Sequence, residues 1–414
     1  MREMKTSSEQ WLGELPVSWG LSRIASLYKI RNTKVSDKDY MPLSVTMNGI
    51  VPQLETAAKT NAHDDRKLVR KGDFAINSRS DRRGSCGISE YDGSVSLINT
   101  ILAPLGEMNP NYYNWLFHTI QFADEFYKWG HGIVDDLWTT GWQDMKRIMI
   151  PVPPLQEQKI IADFLDTKCA EIDALTADIQ TQIDTLEQYK RSVITETVTK
   201  GLNSDVEMKE SGIEWVGAIP AHWSIHPVYT YFGERKNKNK FGNENNLLSL
   251  SYGRVIRKDI NTSDGLLPES FNTYNIVEAG DIIIRPTDLQ NDKRSLRTGL
   301  VKEHGIITSA YIDLYPLKQV DSRYFHFLLH AYDVMKVFYN MGNGVRQGLN
   351  YSEFSRLMVF EPPYDEQVAM ADYLETKVVE VDAIIEQKKE QMTVLDDYKR
   401  SLIFEYVTGK KEVT

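Results

Sequence analysis

A long proline-led segment occurs twice in the chain, and that duplication limits the possible folds more than any local pattern does. The first copy opens Pro153-Pro154-Leu155-Gln156-Glu157-Gln158 and runs through Tyr189-Lys190-Arg191-Ser192 to Val198-Thr199. The second opens Pro362-Pro363-Tyr364-Asp365-Glu366-Gln367 and runs through Tyr398-Lys399-Arg400-Ser401 to Val407-Thr408. Ala162-Asp163 corresponds to Ala371-Asp372, Thr167-Lys168 to Thr376-Lys377 and Asp173-Ala174 to Asp382-Ala383, all at one offset without insertion. A match held in register over such a length is a tandem duplication. A repeat of long period sets the architecture before any local signal does.

Each copy reads as one helix. Prolines fit its first turn and would break its interior. Neither proline nor glycine follows until Gly201 and Gly409, which fit C-terminal stops. Apolar residues recur every seventh position, at Leu165, Ile172, Ile179, Leu186 and Val193, then at Leu374, Val381, Leu395 and Leu402 with a polar break at Lys388. Leu175, Ile183 and Tyr189 are expected to widen the first stripe, and Ile384, Ile385, Met392 and Tyr398 the second. A seven-residue stripe is a coiled-coil seam. About 45 residues at about 1.5 Å each give a helix of roughly 65 Å.

A helix this long with one apolar stripe needs a partner. Its own repeat is the expected one, although packing back onto its own globular half stays open. Each globular half precedes its helix, so an antiparallel pair fits the chain path, as a dumbbell with approximate two-fold symmetry.

The globular halves share an order of signals more than a sequence. Gly13-x-x-Pro16-x-x-Trp19 opens one, and Gly217-x-x-Pro220-x-x-Trp223 opens the other. Leu43 to Met47, Asp73 to Ile76, Val95 to Leu102 and Ile148 to Val152 read as strands, and Tyr112 to Trp129 as an aromatic helix. Leu248 to Ser251, Gly280 to Ile284, Tyr324 to Tyr339 and Leu357 to Phe360 repeat that order. The expected fold is therefore α+β (mixed α/β). Residues 1–152 and 202–361 form globular domains, while 153–201 and 362–414 form long spacer helices.

Composition narrows the function. No run of 18 apolar residues occurs, so nothing reads as a membrane span, and Met1 to Trp11 has no apolar signal core. Cys86 and Cys169 make neither a disulfide framework nor a metal spacing. His63, His118, His131, His222, His226, His304, His326 and His330 include no HExxH pattern, and His326 and His330 read as core or surface histidines. No phosphate-cradling GxxxxGK[ST] loop is present. Glu361-Pro362-Pro363-Tyr364 approaches an amino-methyltransferase tetrad, but its first residue and its repeat, Val152-Pro153-Pro154-Leu155, depart from the pattern. No catalytic or metal-ligating residue is expected.

The net charge is −10, yet the two long segments carry −9 of it. In the nearly neutral remainder the bases cluster, and a local patch decides electrostatic binding more than the total does. Asn77, Arg79, Arg82 and Arg83 follow one strand, with Arg66-Lys67 and Arg70-Lys71 before it. Lys236, Lys238 and Lys240, then Arg254, Arg257 and Lys258, then Arg285, Thr287, Lys293, Arg294 and Arg297 form the second set. Lys and Arg suit phosphates, Arg suits guanine, and Asn or Gln suits adenine. Loops mixing these types are what a duplex reader needs, with an ordinary solvated loop as the alternative for any single arginine.

The proline-rich entry Ile150 to Gln158, the helix through Asp173 and Tyr189-Lys190-Arg191-Ser192, the full repeat from Pro362, and the two Pro-x-x-Trp lead-ins resemble the specificity subunits of type I restriction-modification enzymes. That resemblance implies two target-recognition domains, each reading half of a bipartite double-stranded DNA site. It implies helices that set the spacing and dock two modification (methyltransferase) subunits, with restriction (translocase and nuclease) subunits joining them. S-adenosylmethionine, ATP and Mg would sit on those partners, the chain itself would be non-catalytic, and the setting would be the cytoplasm of a prokaryote.

Gly342-Asn343-Gly344-Val345-Arg346 is similar to a family Gly-x-Gly-x-Arg pattern and adds Arg346 to the expected DNA contacts. Gly130-His131-Gly132-Ile133 lacks the arginine. A coiled-coil scaffold without DNA recognition, and a fused methyltransferase, are the competing readings.

Overall fold

The computed structural model describes the chain except residues 1, 54–62, 133–137, 262–269, 288, 290–295, 338, 340–347 and 414. It contains two compact units, one made of Met1–Gln180 with Lys389–Thr414, the other of Thr181–Lys388. The long helices span Leu155–Lys200 and Tyr364–Val407. Each unit therefore holds one globular half and a stretch of both helices.

The two halves are built alike. In the first, a four-stranded antiparallel sheet runs in the order Cys86–Ile88, Phe74–Asn77, Asn99–Pro104, Tyr28–Ile30. In the second, Thr298–Leu300, Ile282–Ile284, Ile312–Pro316 and Phe232–Glu234 repeat that order. The closing strand Met149–Val152 pairs with Gly20–Arg23, and Met358–Glu361 pairs with Ser224–Pro227. Each closing strand delivers the chain to its proline entry.

A matched ion pair pins each sheet. Arg31 grips Asp73 with two bonds of 2.6 and 3.0 Å, and Arg235 grips Asp281 at 2.8 and 2.9 Å. The same carboxylates accept the backbone N–H of Arg70 and of Glu278, which closes the turn before each strand. This is the work of the repeated Gly-Asp step.

The sequence differs from the structure at two elements of the first half. Tyr112 to Trp129 forms two helices, Pro110–Phe117 and Ile120–Lys128. Thr119 is the break: its backbone is extended and its hydroxyl accepts from the Phe122 N–H, so it caps a new helix instead of continuing the old one. Val95 to Leu102 is likewise two strands, Gly93–Ser96 and Asn99–Pro104, with different partners. Aromatic rings of these elements fill the core, with Phe117 and Phe122 centroids 4.5 Å apart.

The structure also explains the invariant words of the repeat. Gln158 donates to the Pro153 carbonyl and accepts from the Asn109 N–H, both at 2.9 Å. Gln367 donates to Pro362 at 2.9 Å and accepts from the Asp321 N–H at 3.0 Å. Glu157 accepts from the Trp19 indole at 2.9 Å, as Glu366 does from Trp223 at 2.9 Å. Each tryptophan is almost fully buried, and burial of about 200 Å² at about 25 cal/mol/Å² contributes at most about 5 kcal/mol. Gly409 ends one helix against Trp19, and Gly201 ends the other against Trp223.

Within each unit the helix stretches run antiparallel. In the first, Lys399 meets Asp173 at 2.6 Å, and the tilted rings of Phe164 and Tyr406 lie 4.4 Å apart. In the second, Lys190 meets Asp382 at 2.7 Å. Leu165, Ile172, Ile179, Leu374, Val381 and Leu402 are buried, whereas Leu186, Val193 and Leu395 are half-buried. Cys169, Ile183 and Ile385, four residues beyond heptad positions, are buried beside them.

The stripe is narrower than its apolar residues suggest. Leu175, Tyr189, Ile384 and Tyr398 are 48%, 50%, 43% and 53% exposed. They lie three residues beyond a heptad position, on the flank opposite the one the seam uses. His326 and His330, 6.3 Å apart, are held to pKa values of about 3 and 4, chiefly by burial.

Candidate nucleic-acid interface

In each unit a hairpin and a loop after the second sheet strand come together. In the first unit the hairpin pairs Leu43–Thr46 with Gly49–Pro52, and the loop follows Asn77. The tip residue Met47 brings its Cε to 4.0 Å from the Cβ position of Gly84. In the second unit the hairpin pairs Leu248–Ser251 with Arg254–Arg257. Its Gly253 lies against Leu296, the residue before Arg297, with a built Cβ only 3.0 Å from Leu296 Cδ1.

The first loop is shaped by its own polar groups. Asn77 ends the strand, and its carbonyl side-chain oxygen accepts from the Arg79 N–H at 3.1 Å. A 3-10 turn over Ser80–Arg82 follows. Asp81 sits 3.1 Å from Arg79 and 3.8 Å from Arg82. Arg83 pairs with Asp124 and lies over the Tyr127 ring at 5.6 Å. Arg82, with a side chain 68% exposed and one long contact, is the most available of the three arginines.

In the second unit, Lys236 pairs with Glu234 at 2.8 Å, and Lys238 donates to the Thr273 carbonyl at 3.0 Å. Burial, then the neighbouring Lys236 charge, lowers the Lys238 pKa. Arg254 projects from the hairpin and pairs with Asp382 of the second helix. The Arg285 N–H donates to the Arg297 carbonyl at 2.8 Å, and Thr287 is exposed. Lys293, Arg294 and Arg346 lie outside the described residues.

Several bases of the clusters serve the fold. Arg297 is fully buried: its backbone N–H donates to Asp333, and its side chain bonds the Tyr339 hydroxyl and the Thr287 carbonyl. Arg66 is buried and donates to Ser94 and to the Leu43 carbonyl, which fixes the base of the first hairpin. Lys67 donates to the Asn99 carbonyl at 2.7 Å. Among the described residues no group of three acids, histidines or cysteines could hold a metal ion.

Sequence reasoning missed the hairpin tips. Met47 is 69% exposed and Tyr252 88% exposed, at equivalent positions. The two-residue spacing between short alternating strands, with glycine beside the tip, was the available signal.

Each of the two similarly built units thus holds a braced hairpin beside the loop that follows its second sheet strand. Residues 16–185 match the family described as Type I restriction modification DNA specificity domain. Over that stretch the chain is similar to the type I restriction-modification specificity family.

A putative type I restriction enzyme MjaX specificity subunit of Methanocaldococcus jannaschii is 24% identical over 65% of this chain, and the match spans 60% of that relative. The MjaVIII specificity subunit of the same organism is 25% identical over 96% of this chain and 94% of its own length. In fold, a chain of a structure on complex assembly and conformational transition of the type I R-M system is similar at TM-score 0.69, with 12% identity, covering 95% of this chain and 98% of its own. The HsdS subunit from Thermoanaerobacter tengcongensis follows at TM-score 0.52, with 14% identity, covering 96% and 98%.

Proposed function

We propose that this chain is the non-catalytic DNA sequence-specificity subunit of a type I restriction-modification enzyme, with each globular half reading one part of a bipartite duplex site. The observation that carries the reading is a contrast inside the chain. The sheet order, the Arg-Asp clamp and the Trp-Glu-Gln helix entry are the same in both units. The hairpin and loop side chains differ between them. A constant frame that presents two different polar surfaces suits two different half-sites.

The helices carry partners in this reading. Leu175 and Tyr398 are exposed in the first unit, and their repeat equivalents Ile384 and Tyr189 are exposed in the second. Lys168 and Glu171 pair beside the first set at 2.8 Å, and Lys377 and Glu380 beside the second at 2.7 Å. Two equivalent amphipathic patches suit two copies of one modification subunit. S-adenosylmethionine, ATP and Mg belong on the modification and restriction subunits, and the assembly works in the cytoplasm. Among the described residues, no helix is long and apolar enough to cross a membrane.

The test is methylome sequencing of a host with and without the chain. Loss of methylation at one bipartite motif supports the reading, and an unchanged methylome in a host with active modification subunits refutes it. A salt titration of the purified complex on that duplex adds a second readout, because phosphate-driven binding falls steeply with salt.

A further inference from the structure

The hairpin tips are the least explained part of the molecule. Tyr252 has φ 46°, in the left-handed region that bulky residues rarely adopt, and Gly253 follows at φ 79°. Both central residues of a two-residue turn thus have positive φ, the geometry that Asn-Gly serves best. A tyrosine there is strained, and at 88% exposed its ring gains little from packing. Backbone strain held in place without a packing reward points to function.

A second, independent observation lies in the other unit. The equivalent tip residue is Met47, also large, apolar and 69% exposed. The halves differ in most side chains, yet both put a bare apolar group at this place.

Both hairpins stand on firm bases. Leu250 and Val255 pack against the cluster of Leu248, Val277, Ile283, Val301 and Ile307. They also close over Gly299, where a built Cβ would lie 2.5 Å from Leu250 and 3.0 Å from Val255. In the first unit Leu43 and Ile50 join Val69, Ala75, Val95 and Ile101, and a Cβ at Gly87 would lie 2.7 Å from Gly49 Cα. A tip braced this way can press on something without folding back.

Cations lie beside each tip. Arg254 and Arg257, 71% and 72% exposed at their side chains, leave the turn of Tyr252 and are held by Asp382 and Glu303. Met47 lies beside the loop of Arg82 and Arg83. An apolar group beside cations fits a base step beside phosphates: proteins insert such wedges to unstack one step, and base–ring stacking accepts any sequence.

We propose that Tyr252 and Met47 are base-step wedges, each entering the stack of the half-site that its own unit reads. This rests on the DNA-reading function above. It adds a deformation component to specificity, because unstacking costs differ between base steps.

The test uses the full chain in complex with its modification subunits. The probe is a duplex carrying the methylome-derived motif, with 2-aminopurine placed singly at each purine. Wild type is expected to raise fluorescence at one step in each half-site. Tyr252→Ala should abolish the rise in one half-site and weaken binding about tenfold, while Tyr252→Phe keeps both. Met47→Ala should abolish the rise in the other half-site.

Wild-type affinity and an unchanged fluorescence pattern in both alanine variants would overturn the wedge. Loss of modification subunits from Tyr252→Ala, with DNA contacts intact, would overturn it in favour of a protein contact. In the same assay Arg82→Gln with Arg254→Gln separates the two levels. Binding lost there but kept in the tip variants leaves the DNA reading standing without the wedge, whereas a wild-type complex that holds no duplex at low salt removes both.

Discussion

Lys399 of the second long helix meets Asp173 of the first at 2.6 Å, and the repeat equivalents of these two residues, Lys190 and Asp382, meet at 2.7 Å in the other unit. One sequence word thus makes the same bond twice, with the roles of the helices exchanged. The environments differ. Asp173 is 63% exposed, whereas Asp382 is 24% exposed and also takes Arg254. Exposed pairs contribute about 0–1 kcal/mol, and networks contribute more. Reversing Asp173 to Lys is expected to cost under about 1 kcal/mol, and adding Lys399→Asp should restore most of it. Asp382→Ala should cost more, roughly 1–2 kcal/mol, because Lys190 and Arg254 both lose a partner. Chemical denaturation across the double-mutant cycles measures both.

The two helix stops make a controlled comparison. Gly201 and Gly409 have φ 77° and 67°, so alanine strains either backbone. A Cβ at Gly201 would lie 3.3 Å from the Trp223 ring, while at Gly409 it would lie 2.5 Å from Pro16 Cγ. Gly201→Ala is expected to cost about 1 kcal/mol from the left-handed conformation alone. Gly409→Ala should add an overpacking cost, for a total of about 2–4 kcal/mol. Equal losses in melting experiments would show that the Pro16 contact relaxes freely.

Much of this frame was legible in the chain. The proline entries and terminal glycines gave the helix ends because proline and glycine act through local backbone geometry, which needs no tertiary information. The seven-residue stripe gave the seam for the same reason, but not its width: Leu175 is as apolar as Ile183, and only the partner's position decides which flank is covered. The basic clusters pointed to particular loops but not to the role of each base. Arg297 and Arg66 are spelled like Arg82, yet burial and carbonyl partners make the first two structural. Such partners come from distant strands and leave no mark at short range.

Asp313 has no counterpart in the first unit, where the equivalent clamp is Arg31 with Asp73 alone. It is 1% exposed, and burial followed by the Asp281 charge raises its pKa to about 8, against the pull of Arg235 at 3.9 Å. The folded chain therefore keeps this proton up to about pH 8, while the unfolded chain releases it near pH 4. Between those limits the folded state binds more protons, so stability contributed here falls as pH rises and levels off above about 8. Asp313→Asn imitates the protonated form and should remove that slope. The variant is expected to be more stable than wild type at pH 8 and to lose this advantage towards pH 4. Parallel pH–stability curves for the two proteins would refute the assignment.

The exposed helix patches give a stoichiometric prediction. Leu175 and Tyr398 belong to one unit and Ile384 and Tyr189 to the other, and each set is half exposed without a seam role. Charging one set should remove one partner and spare the fold, since surface substitutions cost little stability. Leu175→Glu with Tyr398→Glu is expected to leave the melting temperature near that of wild type. Co-expressed with the modification subunit, it should purify with one copy in place of two by light scattering. Ile384→Glu with Tyr189→Glu should do the same from the other unit, and the four-fold variant should purify alone. Two copies retained by either double variant would show that the partner docks on another face. Loss of both copies from one double variant would show that the two partners bind as a unit.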